Sequence, residues 1–598
     1  MGFFEKNLAL LKAKDTDLAE RVEGLGKRDP FPVDSAVNGE PTIKLRGIAL
    51  HSFRDPSREG ENWAGRAALE NDLPRSGKVT VLGFGLGYHL KGLAVRGIEG
   101  TVIEPDLELF AGALKHLDLS EVLEKFRIMA GPHVDSIRRR HSDLLLGTVL
   151  SHSPSLRLHP DTLGSLRSYG EDLKLARGGG IKVLLVNPIY GGSLPVARYC
   201  ASALRNMGHL VTVFAAEAFS APMDFAVNYR FEKCRNAFRN ELAAMVSRGV
   251  ELMAKETRPD LVLALAQAPL VSESLARLKA MDIPTAFWFV EDFRVLTYWR
   301  DIAPHYRYFF GIQKDDFKRE LSSIGVSRYS YLPMAAAPRV HSPMELSAEE
   351  MEEFGSPLSF VGAGYYNRCN LFRGLTDYPF RIWGSDWPLS PPLDRLIQRN
   401  GARIDTESCV RIFNASDINL NLHSSLGHEG VVPDGDFVNP RTFEIASCGA
   451  FQLVDRRSLM GELFDAGEME LFGDLPELRE KIDHYLSKPE ERSRFAEQGR
   501  KRVLAEHTYE KRMEELLATI LADDTELSER LRLRGDERSR RNEEIDRQEG
   551  LRDLLDRLPD GKAPTLEGIY GALNKGEGEL SRAERIFLAL KNVELKLD

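Results

Sequence analysis

The stretch Asp434-Gly-Asp-Phe-Val-Asn-Pro-Arg-Thr-Phe-Glu-Ile-Ala-Ser-Cys-Gly-Ala-Phe-Gln-Leu-Val-Asp455 organises the reading of the whole chain. Asn439 followed by Pro440 is a helix-start signal, because Asn caps free amides and Pro is pre-set for the first helical position. Gly449 stops the helix after about two turns, and Ala450–Asp455 reads as a buried strand. So short a helix contributes little to a core. It is better suited to aiming its N-terminus, with Arg441 in the first turn, at an anion. Glu444 stands about one turn further on, where a carboxylate can accept two hydroxyls of a ribose. A capped surface helix with solvated Arg and Glu is the plainer alternative.

Outward from this segment, apolar runs alternate with helical stretches. Before it come expected strands at Leu358–Val361, Phe380–Trp383, Ala402–Ile404 and Ile418–Leu422. An earlier series begins after the linker Gly178-Gly-Gly180, with runs at 181–187, 209–215, 259–265, 283–290 and 307–313. Alternation at this spacing predicts two doubly wound α/β sheets. Ligands of such sheets sit outside the carboxyl ends of the strands. That rule nominates Gly191, Gly192 and Ser193 on the first sheet, together with Asp292 as acid or general base and Glu291 behind it. On the second sheet it nominates the Gly362–Gly364 turn with Arg368, plus Asn421 and His423, which share one strand face. Each has a structural alternative: a helix cap for Asp292, a core histidine for His423, a surface cation for Arg368.

Asn439-Pro-Arg-Thr-Phe-Glu-Ile445, followed by a small-residue turn and a strand, resembles the donor-site segment of GT-B glycosyltransferases, in particular the CgeB-like, spore-maturation family. Gly467–Gly473, Pro489-Glu-Glu-Arg492 and His507-Thr-Tyr-Glu-Lys-Arg512 fit the same series, and the resemblance spans roughly residues 181–520. It implies twin Rossmann-like domains, a nucleotide-sugar donor whose ribose is held by Glu444, and Arg441 beside the diphosphate. Gly362, Gly364, Arg368, Asn421 and Asn439 complete the expected donor side, and Tyr331–Pro338 the crossover between domains. No metal is expected, since Asp434-Gly-Asp436 has metal-type spacing but lies in a loop before the capped helix.

The N-terminal region carries a second pattern. Lys78–Leu82 runs into Gly83, Gly85 and Gly87, then a helix, and a second strand ends at Glu104. Strand, glycine loop, helix, strand and terminal acid make a nucleotide-binding type of unit. Gly-x-Gly-x-Gly is nearer to methyltransferase-like loops than to the dinucleotide pattern. With His51-Ser…Asp55-Pro…Glu59 ahead of it, the region also resembles the N-terminal part of motility-associated, flagellin-modifying glycosyltransferases. Glycines at such a turn also serve close packing alone.

The chain's 598 residues allow three or four domains, expected at 1–177 (α/β with the glycine loop), 181–340 (acceptor), 341–520 (donor) and 521–598 (a helical appendage, charge-rich and suited to oligomer contacts). A formal charge of −10 argues against general nucleic-acid binding. Five scattered cysteines without metal spacing suggest thiols in a reducing compartment. No apolar run approaches a membrane span, and Met1–Asp15 does not read as a signal peptide. The expectation is a cytoplasmic enzyme, peripheral to the inner membrane at most. It needs no cofactor, and moves a sugar from a nucleotide sugar to a surface polysaccharide or a protein such as flagellin. The rivals are a bifunctional protein with a methyltransferase-like N-terminal domain and a non-catalytic scaffold of the same shape.

Overall fold

The computed structural model describes residues 2–26, 31–74, 76–131 and 134–546, then 569, 571, 573, 581 and 584–588. Residues 1–522 and 523–598 form two compact units. The first unit contains three parallel sheets in sequence.

The N-terminal sheet comprises β1 (Lys78–Leu82), β2 (Glu99–Glu104), β3 (Phe126–Ala130) and β4 (Thr148–Ser151), in the order β3-β2-β1-β4. Helix α1 (Pro56–Glu70) is capped by Asp55, and α2 (Tyr88–Val95) follows the glycine loop.

The second sheet contains β5 (Lys182–Val186), β6 (Leu210–Phe214), β7 (Leu261–Leu265), β8 (Thr285–Phe289), β9 (Tyr308–Gly311) and β10 (Tyr329–Tyr331), ordered β6-β5-β7-β8-β9-β10. Every residue of β7 and β8 is buried. Continuous apolar runs of this kind are what a parallel sheet covered on both faces requires. Helix α3 (Ser193–Asn206) leaves the end of β5, and the 26-residue α4 (Glu232–Thr257) returns the chain to β7.

The third sheet holds β11 (Ser356–Val361), β12 (Phe380–Trp383), β13 (Ser416–Asn421), β14 (Gln452–Asp455) and β15 (Glu470–Phe472), ordered β12-β11-β13-β14-β15. Ala402–Ile404 is not among them. That segment is extended but unpaired and leads into the Asp405 cap of the following helix. The short helix α5 (Pro440–Ser447) sits between β13 and β14, with Asn439 accepting from the Thr442 amide at 3.1 Å and Pro440 in its first turn.

The chain then returns to the crossover between the two sheets. Ala336 exchanges backbone bonds with His507 and Tyr509, and Arg512 on α6 (Tyr509–Asp523) donates to the Pro333 carbonyl at 2.8 Å. The fold is α/β with twin Rossmann-like sheets of GT-B type and an additional α/β sheet ahead of them. In the second unit, α7 (Thr525–Asp546) begins the expected helical appendage. Most of the appendage beyond it lies outside the described residues.

Candidate functional site

The start of α5 is fixed by a buried polar network at the carboxyl ends of β13 and β14. The Asn439 backbone N–H donates to His423 Nε2 at 2.9 Å, which makes that nitrogen an acceptor. His423 Nδ1 therefore carries the proton and donates to Asp455 Oδ1, 2.6 Å away. Asp455 also takes the His423 backbone amide and Arg457 Nε at 3.1 Å. Burial holds the ring neutral against the pull of Asp455. Both ring nitrogens are committed and the residue is fully buried, so His423 positions the cap and is not placed to move a substrate proton. This corrects its candidacy as a catalytic group. Asn421 acts likewise: its amide donates to Thr442 Oγ1 and Gln452 Oε1, and its oxygen accepts from Asn439 Nδ2 at 2.8 Å. Asn421 and Asn439 belong to the frame of the helix start.

Arg441 and Glu444 lie together one turn apart, with an ion pair between them. Arg441 Nη2 also reaches Cys409 Sγ at 3.5 Å. His341 Nε2 lies 3.8 Å from the other Glu444 oxygen and 3.5 Å from Tyr199 Oη on α3. Burial pushes the Glu444 carboxyl up, but Arg441 and His341 outweigh it, and the group is held below its ordinary value. Glu444 is thus a buried carboxylate, ionised at neutral pH, while a third of the Arg441 side chain remains exposed.

The Gly362–Gly364 turn differs from its expectation. The Gly362 and Gly364 amides donate to the carbonyls of Trp383 and Ser385, both at 2.9 Å. A Cβ at Gly364 would stand 2.5 Å from the Asp386 carbonyl oxygen. Arg368 donates from Nε to the Leu422 carbonyl and from Nη1 to the Ala363 carbonyl, each at 2.9 Å, and lies over the Phe360 and Tyr365 rings. These groups knit the turn to the ends of β12 and β13. The Gly362 and Gly364 amides and the Nε and Nη1 of Arg368 are thus engaged within the protein, so neither glycine has a free amide for the phosphate expected there.

On the second sheet the rim after β5, β7 and β8 converges. Glu291 accepts from Gln267 Nε2 at 2.8 Å and Tyr298 Oη at 3.1 Å, and Tyr298 in turn receives the Gln267 amide. Burial pushes the Glu291 pKa up to about 7, with the two hydrogen bonds pulling the other way. Gln267 has a positive φ of 68°, and its Oε1 is buried without a partner. Gly191 is required there: its φ is 99°, and a Cβ would lie 2.3 Å from Gln267 Oε1. Gly192 stands in open space, and Ser193, buried, starts α3. Arg403, in the unpaired segment before β13, crosses from the third sheet and places Nη2 3.4 Å from the Gly191 carbonyl. Gln267, Tyr298 and Arg403 escaped sequence reading, although Gln267 follows a strand end as directly as Glu291 does.

Asp292 has a different occupation. It accepts from the Arg294 amide at 3.0 Å and Gln313 Nε2 at 3.2 Å. Gln313 also donates to Asp436 at 2.9 Å, and Arg294 forms a two-pronged contact with Asp436 at 2.9 and 3.1 Å. Asp292 and Asp436 thus tie the loop before α5 to the second sheet, so that Asp292 occupies a turn and tether position while Glu291 stands enclosed on the rim. The tether removes Asp436 from any metal role for the 434–436 pair.

The N-terminal loop is closed by its own surroundings. Gly83 to Gly87 are all buried. The Phe84 amide donates to Glu104 Oε2 at 2.7 Å and the Asp106 amide to Oε1 at 3.1 Å. The acid expected to meet a ligand therefore turns inward, and burial raises its pKa to about 7. His51 Nε2 accepts from the Leu86 amide at 2.9 Å. A Cβ on Gly83 would stand 2.2 Å from the Ser155 side chain, and one on Gly85 2.7 Å from His51 Nε2. Gly83, Gly85, Gly87 and Glu104 are thus enclosed by the protein's own groups. His51, His89 and His152 form the one three-ligand group among the described residues. The His89 and His152 rings are parallel at 4.3 Å, so their in-plane lone pairs do not converge on a common ion.

Residues 368–518 match a family model described as Glycosyl transferase-like. The chain is 25% identical over 289 residues to the spore protein CgeB of Bacillus subtilis (strain 168), covering 44% of this chain and 84% of that one. Among solved structures it is similar to sucrose-phosphate synthase from Thermosynechococcus elongatus, at 11% identity and a TM-score of 0.38, over 57% of this chain and 98% of that one. The corresponding values for Anabaena HepE in complex with UDP-glucose are 11%, 0.39, 57% and 99%. Residues 368–518, which include β13, α5 and β14, are thus similar to a glycosyl transferase-like family, and the chain as a whole is similar in part to CgeB.

Proposed function

We propose that the protein is a glycosyltransferase that moves a sugar from a nucleotide-sugar donor at α5 to an acceptor bound over the rim of the second sheet. The division of labour follows the domains read from sequence, with 181–340 taking the acceptor and 341–520 the donor. The observation that carries this reading is the pairing of two unlike carboxyls on facing rims. Glu444 is ionised and paired with Arg441, with the buried, neutral His341 on its other side, and suits the hydroxyls of a ribose. Glu291 is held near neutrality and suits the removal of a proton from an acceptor hydroxyl. The two rims meet through Arg403 at Gly191 and through Tyr199, six residues into α3 from Ser193 or roughly 9 Å along the helix, which faces His341 and Glu444.

In this mechanism Arg441 meets the leaving diphosphate, where charge builds as the glycosidic bond breaks. The α5 N-terminus adds its partial positive charge. The reaction is proposed to be metal-independent, because Asp436, half of the sole suitably spaced acid pair near the donor segment, is committed to Arg294 and Gln313. The acceptor class is a surface glycan precursor or a protein such as flagellin, met in the cytoplasm. The five cysteines carry no disulfide, and no described helix is long and apolar enough to cross a membrane.

The test is a panel of nucleotide sugars followed by detection of released nucleoside diphosphate with glycan and protein acceptors. Release that requires both a donor and an acceptor supports the reading. Donor binding without turnover on any acceptor would favour a scaffold of the same shape.

A further inference from the structure

Helix α4 is longer than the sheet it serves. Its buried residues are Val246, Ser247, Val250, Glu251 and Ala254, all in the second half. The turns from Glu232 to Met245 have no fully buried residue and extend about 20 Å, with only a partial cover from Leu242 on the core and Phe238 on the neighbouring turn. The overhang is paired with a short helix, Ser220–Phe225, and a tight turn at Ala226–Asn228.

The tip of this hairpin is aromatic and open. Phe225, Val227, Tyr229 and Phe231 are 54%, 65%, 38% and 67% exposed. Phe225, Tyr229 and Phe238 touch one another, with centroids 5.5 to 6.2 Å apart, which makes the tip a preformed cluster. Arg235 donates to the Tyr229 and Arg230 carbonyls at 2.9 and 3.0 Å and fixes the turn. Over residues 220–245, Arg230, Lys233, Arg235 and Arg239 stand against Asp224, Glu232 and Glu241, a net +1 in a chain of net −10, and the 229–235 turn at the tip carries three of the cations against Glu232. The hairpin grows from the carboxyl end of β6, beside β5, and its base is joined to Asn187 through Glu217 at 3.0 Å. It therefore rises from the same rim as Gly191 and Glu291.

We propose that the 220–245 hairpin docks this rim on an anionic lipid surface. Aromatic rings settle at the headgroup boundary while flanking arginines and lysines meet lipid phosphates. A local basic charge on an acidic protein selects an anionic surface over a neutral one, and no spanning segment is needed. Attachment of this size is weak and reversible.

The test is flotation of the full chain with phosphatidylcholine vesicles, with and without a third of phosphatidylglycerol. A fluorophore on the exposed Cys234 gives a second readout of entry into the headgroup layer. Wild type is expected to float only with anionic vesicles and to be released by salt. Phe225→Ser with Phe231→Ser should lower partitioning at least about tenfold. Arg230→Glu with Lys233→Glu should lower it about fivefold per charge. All four side chains are exposed, so melting and nucleotide-sugar binding should stay at wild-type values. This outcome is independent of the glycosyl-transfer reading. Equal flotation with neutral vesicles, or both variants floating like wild type, overturns the proposal. So does a lipid-free dimer that the same substitutions dissociate, which would make the tip a contact with a second copy.

Discussion

Glu291→Gln separates poise from chemistry, because it is expected to slow the enzyme and stabilise the fold together. The folded carboxyl titrates near pH 7 against an ordinary value of 4.5, raised by burial. Folding therefore binds a proton between those values. For a carboxyl raised in this way, its contribution is most favourable below pH 4.5 and is lost as pH rises through 7. Integrated between pH 4 and pH 8, with one pKa unit near 1.4 kcal/mol, the wild-type side chain costs about 2–3 kcal/mol. Residual solvent access makes this an upper bound. Glutamine keeps the shape and the contact with Gln267, leaves one bond to Tyr298 imperfect at about 1 kcal/mol, and removes the titration. Urea unfolding at pH 4 and pH 8 should show the variant gaining on wild type by roughly 1–3 kcal/mol between the two. Turnover should fall on the order of 10²–10⁴-fold, and the wild-type rate should rise with pH through about 7 as the base ionises. A variant whose stability relative to wild type does not change with pH refutes the buried carboxyl. Full activity in the variant refutes its role as base.

Arg441→Ala should lower turnover more than donor affinity, because the cation meets charge that develops only as the diphosphate leaves; saturation kinetics against donor concentration separate the two. Gly85→Val should destabilise the protein by about 1–3 kcal/mol or more, since φ is +54° and His51 Nε2 stands where the branch would go, and thermal melting reads it directly. Nucleotide-sugar binding per folded molecule should be unchanged in that variant. Asp455→Asn leaves His423 without its charged acceptor and Arg457 without its carboxylate, so a loss of about 3 kcal/mol is expected in denaturant unfolding.

The strands were legible because parallel strands buried on both faces must be apolar throughout, as in Leu261–Leu265 and Thr285–Phe289. The start of α5 was legible because Asn439 and Pro440 are local signals that no tertiary partner is needed to interpret. Ala402–Ile404 misled for the opposite reason. Its backbone is extended as the pattern suggests, but pairing requires a free sheet edge, which periodicity does not report. The rim rule brought out Gly191 and Glu291, yet a strand end names a place and not a partner. Nothing in the order of residues told that Gln313 would draw Asp292 toward Asp436 while Gln267 and Tyr298 enclosed Glu291. Glu104 shows the same limit. Its position after a strand matches a ligand-binding acid, and only the fold turns its carboxylate back onto the Phe84 amide. Arg368 was read as free for phosphate because a cation after a glycine turn is ambiguous until its carbonyl partners are seen.

The central claim is that α5 presents its charged pair to a nucleotide sugar, and titration calorimetry on Glu444→Gln tests it most directly. Charge-assisted bonds to ribose hydroxyls contribute about 1.5–3 kcal/mol each. Glutamine keeps their geometry without the charge, so donor affinity should fall roughly 10- to 100-fold while circular dichroism shows the fold unchanged. Binding of the same nucleotide sugar at wild-type affinity by the folded Glu444→Gln protein would contradict the account.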